Sequence, residues 1–436
     1  MIRTMLLLDK YSFSLDYSGL WILFHLQTAI IMNMIIHLDL DAFFCAVEEQ
    51  RDPSLRGKPF AVGGRPDERG VVASCSYAAR RFGVHSAMAM GRAIKICPNL
   101  IIVRSRYQAY GEASRKVMDR LHALTPLVEQ ISIDEAFLDI SGLPEPVEEL
   151  ARQLQASIRD ELGLPCSLGV ASNKLVAKIA TEVGKGSGRG EGPPNALTIV
   201  PPGTEAEFLA PLQVNLLWGV GPKTAARLLE LGIQTIGDLA RRSEVDLIQR
   251  FGKHGLEMAL HARGIDPSPI VTVRAVKLIS QETTFSQDVR DESELRQTLL
   301  SQAGQVARLL QRKQLRGITV KLKLRWPDFT TLTRQTTLSR ATDQAETLSR
   351  TAEQLFDKVW RPGKAVRLLG VGVSGLVERG DCYRNSGQLE LWQAEGQGDQ
   401  IAEKERRLQT VISELQERFG KESLSRGLPK IDVEDG

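Results

Sequence analysis

The sequence predicts an α+β protein of several domains, and three observations predict it. Strand-like apolar runs alternate with amphipathic helical periodicity from Met34 to about residue 185. A glycine-rich break, GKGSGRGEGPPN at residues 184–195, separates that region from a helical one. A third region, 271–380, returns to strands and helices, and 436 residues accommodate about two to four domains.

Residues 1–33 read as an extension or an early start codon. GLWILFHLQTAIIM is interrupted by His25 and Gln27 and falls short of the roughly 20 residues a membrane-spanning helix needs. Asp9, Lys10 and Asp16 break any signal-peptide core. No function is assigned to this segment.

A strand is expected over Ile35 to Asp41, then a helix from Phe43 through CAVEEQRDPSLRG. Next comes a small basic unit, FAVGGRPDERGVVASCSYAARRFGV, with strand-like runs around a glycine turn and an Ala/Arg-rich helix. ISIDEAFLDISG predicts a strand, a tight turn carrying Asp134 and Glu135, and a second strand. Val147, Leu150, Leu154, Ile158 and Leu162 recur at helical spacing, followed by a strand, CSLGVAS, and a helix, NKLVAKIATEV. The pattern predicts a sheet with helices on one face. Beyond the break, LLWGVGPKTAARLLELGIQTIGDLA reads as helix, Gly-x-Gly turn, helix, glycine cap and a short helix. In ITVKLKLRW, Ile318, Val320, Leu322 and Leu324 share one strand face, and Thr319, Lys321, Lys323 and Arg325 share the other.

Composition sets limits on function. The apolar and charged fractions, 42% and 25%, argue against a disordered or membrane-embedded chain, so no membrane partner is expected. The net charge of +3 conceals residues 271–380, with 19 Lys or Arg against 11 Asp or Glu, which suggests a polyanion partner. Five scattered cysteines without a C-x-x-C pair indicate neither a disulfide framework nor a zinc site and fit a cytoplasmic protein.

HLDLDAFF, residues 37–44, places Asp39 and Asp41 on one face of a strand. A carboxylate facing a core is costly unless it is paired or holds a metal. If the strand of Asp39 neighbours the turn of Asp134 and Glu135, three carboxylates meet, and oxygen ligands without His or Cys favour Mg²⁺. A pair of such ions suits phosphoryl transfer. Taken alone, the acids read equally as solvated. Tyr77 and Arg80 on one helical face, with Lys178 on NKLVAKIA, could reach a triphosphate from two elements, although singly each reads as a surface residue. GVGPKT lacks the Walker spacing, which excludes that ATPase class; such a turn can instead present backbone N–H groups to a nucleic-acid phosphate.

The ordered set HLDLDAFF, SYAARRFG, SIDEAFLDISG, GVASNKLVAKIA and LWGVGPKTAARLLELGI resembles the Y-family translesion DNA polymerases, of the DNA polymerase IV type, from Met34 to about residue 380. The resemblance implies a right hand: a ferredoxin-like palm (34–42 and 109–185), small fingers (43–108), a helix-hairpin-helix thumb (186–265), an α/β little finger (271–380) and a tail (381–436). It implies Asp39, Asp134 and Glu135 as catalytic carboxylates, holding two Mg²⁺ ions with the Leu40 carbonyl. Phe43, Ser74, Tyr77, Arg80 and Lys178 would hold the incoming dNTP, and Phe44 would be the steric gate against ribonucleotides. Gly219, Gly221 and Lys223 of the thumb, with Lys321, Lys323 and Arg325, would contact the backbone of primer-template DNA. Asp41 matches a family acid without an assigned metal role. The family's Lys-Pro-Asn-Gly is here Lys185-Gly186-Ser187-Gly188, which puts the local loop geometry in doubt. Beyond the last domain, Gln388, Leu389, Leu391 and Trp392 resemble a sliding-clamp peptide. The expected activity is template-directed addition of dNTPs to a primer by a monomer, with low processivity and no proofreading. A clamp-tethered relative with a decayed site and a nucleotide cyclase are the alternatives; intact acids disfavour the first, and the helical hairpin and basic domain disfavour the second.

Overall fold

Strand β1 (Ile35–Leu40), buried along its whole length, is the centre of a five-stranded sheet in this computed structural model, which describes residues 33–187 and 192–379. Its neighbours are β6 (Glu135–Asp139) and β7 (Cys166–Ala171), both antiparallel to it. The outer strands are β5 (Val128–Gln130), antiparallel to β6, and β8 (Leu197–Ile199), parallel to β7. The fifth strand therefore lies beyond the glycine-rich stretch. The described strands on either side of it, β7 and β8, belong to one sheet, whereas a domain boundary is expected near residue 186.

A central strand buried on both sides needs cover on both faces. Helices α4 (Tyr107–Leu124) and α5 (Val147–Leu162) pack against Ile36, Leu38 and Leu40. Helix α6 (Lys174–Ser187) packs on the opposite face with Ile35 and Phe137. The expectation of helices on one face is corrected here. On the α6 side β1 presents Ile35, His37 and Asp39, and all three are buried, so polar alternation here does not mark a solvent face.

Between β1 and α4 lie α1 (Phe43–Arg51), the three-stranded sheet β2 (Phe60–Gly63), β3 (Val72–Cys75) and β4 (Ile101–Val103), and two short helices, α2 (Tyr77–Arg80) and α3 (Met90–Ile96). The loop joining β2 to β3 doubles back tightly, because a Cβ on Gly70 would stand 2.2 Å from the Gly64 carbonyl carbon. Only glycine permits that approach.

The helical unit holds α7 (Glu205–Leu209), α8 (Pro222–Glu230), α9 (Ile236–Ala240), α10 (Glu244–Phe251) and α11 (Lys253–Ala262). The Gly-x-Gly turn has Gly219 at φ +96, Gly221 caps α8, and Gly232 reverses the chain at φ +74. The positive φ at Gly219 and Gly232 suits a residue without a Cβ, whereas Gly221 is extended. The last unit folds as β9 (Leu278–Val289), α12 (Glu292–Arg312), β10 (Leu315–Arg325), β11 (Thr331–Thr342), α13 (Ala345–Val359) and β12 (Val366–Glu378), with sheet order β11-β10-β12-β9. Val320, Leu322 and Leu324 of β10 are buried with both helices, as their alternation predicts.

The segment joining these last two units is tied to the palm. Asn173 Nδ2 donates to the Gly264 carbonyl at 2.9 Å, and Asp266 accepts from the Leu175 N–H at 3.2 Å. Fully buried Glu129 on β5 accepts from Lys174 Nζ and from the Val271 N–H, each at 2.9 Å, and pairs with Arg274. Burial alone would push the Glu129 carboxyl up, but the Val271 N–H, Lys174 and Arg274 together hold it below its usual 4.5. The extension to residue 32 and the clamp-like peptide Gln388, Leu389, Leu391 and Trp392 lie outside the described residues.

Candidate active site

The carboxylates meet because β1 and β6 pair. Antiparallel register sets Asp39 directly opposite Glu135, on the sheet face covered by α6. Asp134 occupies the turn before β6, where its carbonyl accepts from the Leu40 N–H at 3.0 Å. Ser132 Oγ organises that turn: it donates to Asp134 Oδ1 at 2.5 Å and accepts from the Glu135 N–H at 3.0 Å. This is the neighbour relationship the sequence reading required.

Asp41 has a different environment from Asp39. Completely buried, it accepts from Ser167 Oγ at 2.9 Å and from the Asn195 N–H at 3.1 Å. It thereby fixes the chain entering β8.

Cations from α6 neutralise the acids. Lys185 Nζ lies 2.5 Å from Asp39 Oδ1 and 3.7 Å from Asp41 Oδ1. Lys178 Nζ donates to Glu135 Oε2 at 2.9 Å. Burial raises the Asp39 carboxyl to about 7, opposed by Lys185 and reinforced by Glu135. Among the described residues, no three carboxylate, imidazole or thiol groups stand close enough together to enclose a metal ion. The donor chemistry nevertheless fits a hard divalent cation: the converging side-chain ligands are carboxylate oxygens, and Asp39 already has a cation at bonding distance.

A pocket of about 200 Å³ opens beside the acids, lined by Asp39, Leu40, Phe43, Phe44, Ser74, Tyr77, Arg80, Asp134 and Lys185, among others. Tyr77 opens α2, whose cap is the Ser76 hydroxyl accepting from the Ala79 N–H at 3.2 Å. The Arg80 guanidinium lies 4.6 Å from the Tyr77 ring centroid, so the two side chains reach the pocket as a stacked pair. Eight of the residues expected around the metal and nucleotide are thus brought together. Lys178 is absent from the lining, and Lys185 supplies the ammonium there.

Sequence reading missed Lys185 because its Lys-Gly-Ser-Gly context departs from the expected motif. The signal available was helical phase, since Thr181 and Lys185, like Lys178, lie at three- and four-residue spacing along α6. It also missed the support of Phe44. Phe44 stacks on Tyr110 at 4.2 Å between centroids, and Tyr110 Oη donates to Glu48 Oε1 at 2.7 Å. Tyr110 and Glu48 are fully buried, and Arg106 pairs with Glu48. Phe43 is likewise buried, packed edge-on to Tyr110.

The other expected contacts lie elsewhere. Gly219, Gly221 and Lys223 surround the start of α8. Lys321, Lys323 and Arg325 lie half-buried on the helix-free face of the last sheet, where Lys323 pairs with Glu282 at 2.7 Å.

A central, mostly antiparallel sheet with paired acids, a cationic pocket beside them and a helical hairpin points to a nucleotidyl-transfer enzyme of right-hand architecture. Residues 38–182 match the impB/mucB/samB family, 276–391 its C-terminal domain and 202–233 its helix-hairpin-helix motif. The chain is 38% identical to a DNA polymerase IV of Desulfatibacillum aliphaticivorans, over 92% of this chain and 98% of that protein. Identity to a Listeria innocua DNA polymerase IV is 40%, over 78% of this chain and 95% of the relative. The Streptomyces coelicolor DNA polymerase IV is 43% identical, over 79% of this chain and 71% of the relative. Among solved structures, the Y-family DNA polymerase chimera Dbh-Dpo4(243-245)-Dbh superposes with a TM-score of 0.70 at 26% identity, covering 79% of this chain and 99% of the chimera. The chain belongs to the Y-family DNA polymerases, of DNA polymerase IV type. Membership implies use of a divalent metal in general, and no described helix is long and apolar enough to cross a membrane.

Proposed function

We propose that the chain is a translesion DNA polymerase that adds deoxynucleotides to a primer 3′ end under template direction, with Asp39, Asp134 and Glu135 at the reacting centre. The observation that carries this reading is the Asp39–Glu135 pair set beside a pocket holding Tyr77, Arg80 and Lys185. Tyr77, Arg80, Lys185 and Ser74 would bind the triphosphate, opposing its charge as the bond to the leaving pyrophosphate breaks. Lys178, on the same helix, serves Glu135 rather than the phosphates.

Two Mg²⁺ ions held by Asp39, Asp134, Glu135 and the Leu40 carbonyl would stabilise the attacking and leaving oxygens. Lys185, which reaches Asp39 at 2.5 Å and Asp41 at 3.7 Å, would turn its ammonium to the triphosphate. Phe44, braced by Tyr110, would close the space of a ribose 2′-hydroxyl. Gly219, Gly221 and Lys223 would contact the duplex backbone, and the face carrying Lys321, Lys323 and Arg325 would grip it without reading sequence.

We propose low processivity, motivated by the small fingers, and no proofreading, motivated by the lack of a recognisable exonuclease segment among the described residues. Gln388, Leu389, Leu391 and Trp392 would tether the chain to a sliding clamp and raise its effective concentration at primer ends. We propose a cytoplasmic monomer. Extension of a labelled primer with dNTPs and Mg²⁺ tests the reading: wild type extends by a few nucleotides per binding event, and Asp134→Ala abolishes extension. Binding without extension under any divalent metal would sink it.

A further inference from the structure

His37 is a completely buried imidazole that the nucleotide pocket does not use. Its strand register places it opposite Gly169 on β7 and Phe137 on β6, two residues before Asp39. Gly169 is what admits α6 to this face. A Cβ there would stand 2.0 Å from the Ala177 carbonyl oxygen and 2.6 Å from Thr181 Oγ1. The close approach delivers Thr181 and Lys178 to opposite edges of the imidazole.

The hydrogen bonds determine the tautomer. Thr181 Oγ1 lies 3.1 Å from the Ala177 carbonyl oxygen and 3.3 Å from that of His37, and both can only accept. With its one hydroxyl proton directed at a carbonyl, Thr181 Oγ1 is placed to accept from His37 Nδ1, 2.9 Å away, and the Lys178 ammonium beside Nε2 favours the same tautomer. With its proton on Nδ1, the ring presents a lone pair on Nε2, 3.4 Å from Lys178 Nζ. The opposite tautomer would set an N–H against the ammonium, two donors facing each other. Lys178 uses another of its three N–H groups on Glu135 Oε2, at 2.9 Å. The Trp218 ring centroid lies 6.0 Å from Lys178 Nζ, and the Phe137 ring lies 4.8 Å from the imidazole, so aromatic rings flank both groups.

We propose that His37 and Thr181 are positioning residues: through a fixed Nδ1–H tautomer they hold the Lys178 ammonium, and Lys178 in turn orients the Glu135 carboxylate at the reacting centre. This rests on the reading of Glu135 as a carboxylate of that centre. Lys178 acts on the acid, whereas Lys185 acts in the nucleotide pocket, so these two of the three lysines of α6 affect different kinetic constants.

The full chain, labelled with ¹³C and ¹⁵N in its six histidines, tests the tautomer without metal or DNA. The resonances lost in His37→Gln assign His37, and their ring nitrogen shifts should report a proton on Nδ1 and a bare Nε2. Single-turnover primer extension then tests the coupling. Thr181→Val and His37→Phe should slow the maximal rate by roughly ten- to hundredfold, with the dNTP concentration for half-maximal rate changing little. Thr181→Ser, which keeps the hydroxyl, should recover most of the rate, as should His37→Gln, whose carbonyl oxygen accepts where Nε2 did. An Nε2–H ring, or an undiminished rate in Thr181→Val and His37→Phe, overturns the proposal. If His37→Phe fails to fold, the Thr181 pair and the wild-type tautomer still decide it. A fully active Glu135→Gln would instead overturn the assignment of Glu135 to the reacting centre.

Discussion

Asp39 and Glu135 face each other across neighbouring antiparallel strands, and each is held by a different lysine of one helix: Asp39 by Lys185 at 2.5 Å and Glu135 by Lys178 at 2.9 Å. One α-helical stretch thus supplies two cations to two acids. Their separation along α6, seven residues, is two helical turns, which keeps both on the face toward the sheet.

Lys185 should govern nucleotide capture. Lys185→Met removes the pocket's ammonium while keeping its apolar stem, and should raise the dNTP concentration for half-maximal rate by about ten- to hundredfold. Lys178→Met should act mainly on the maximal rate. Pre-steady-state extension over a dNTP series separates the two constants; identical profiles for both variants would contradict the division.

The proposed gate, Phe44, is a ring braced by Tyr110. Tyr110→Ala removes the surface on which Phe44 stacks, so it should admit ribonucleotides while leaving Phe44 in place. Tyr110→Phe keeps the stack but withdraws the hydroxyl from buried Glu48, costing about 1–3 kcal/mol of stability with little change in sugar selection. Competitive dNTP/rNTP incorporation and thermal unfolding of the two variants check this.

Glu129 makes stability depend on acid. Its carboxyl sits below its usual 4.5 in the folded chain, so the unfolded chain binds the proton more readily. The contribution is complete above about pH 5 and lost as pH falls through the lower folded value. As pH falls below about 5, wild type should lose a stability increment that Glu129→Gln lacks, measured by denaturant titration at each pH. Parallel curves would rule out the pairing.

The close approach of α6 to the sheet rests on Gly169. Gly169→Ala drives a Cβ into the Ala177 carbonyl and should destabilise by about 1–3 kcal/mol or more, since backbone must move. Because the displaced helix carries both lysines, activity should fall as well. An alanine variant with native stability and rate would show that the helix has more room than the structure gives it.

Much of this was legible in the sequence because it depends on period and spacing. Asp39 and Glu135 fall on strands whose alternation fixes their faces, and the basic face of β10 follows from ITVKLKLRW alone. Other features depend on distant partners that no local pattern encodes. The choice of Lys185 over Lys178 for the pocket depends on how α6 docks, which is set by Gly169 on another strand. The cover on both faces of the palm was likewise hidden, because a helix's buried stripe does not say which side of a sheet it meets. Strand β8 escaped notice because three residues after a glycine-rich loop carry too little periodicity.

The most direct measurement is single-turnover primer extension by wild type, Asp39→Asn and Glu135→Gln, with binding of primer-template DNA followed in parallel. The account predicts unchanged DNA affinity with extension reduced by at least about a thousandfold in both variants. Extension at the wild-type rate by either variant would mean that the paired carboxylates of β1 and β6 are not the reacting centre.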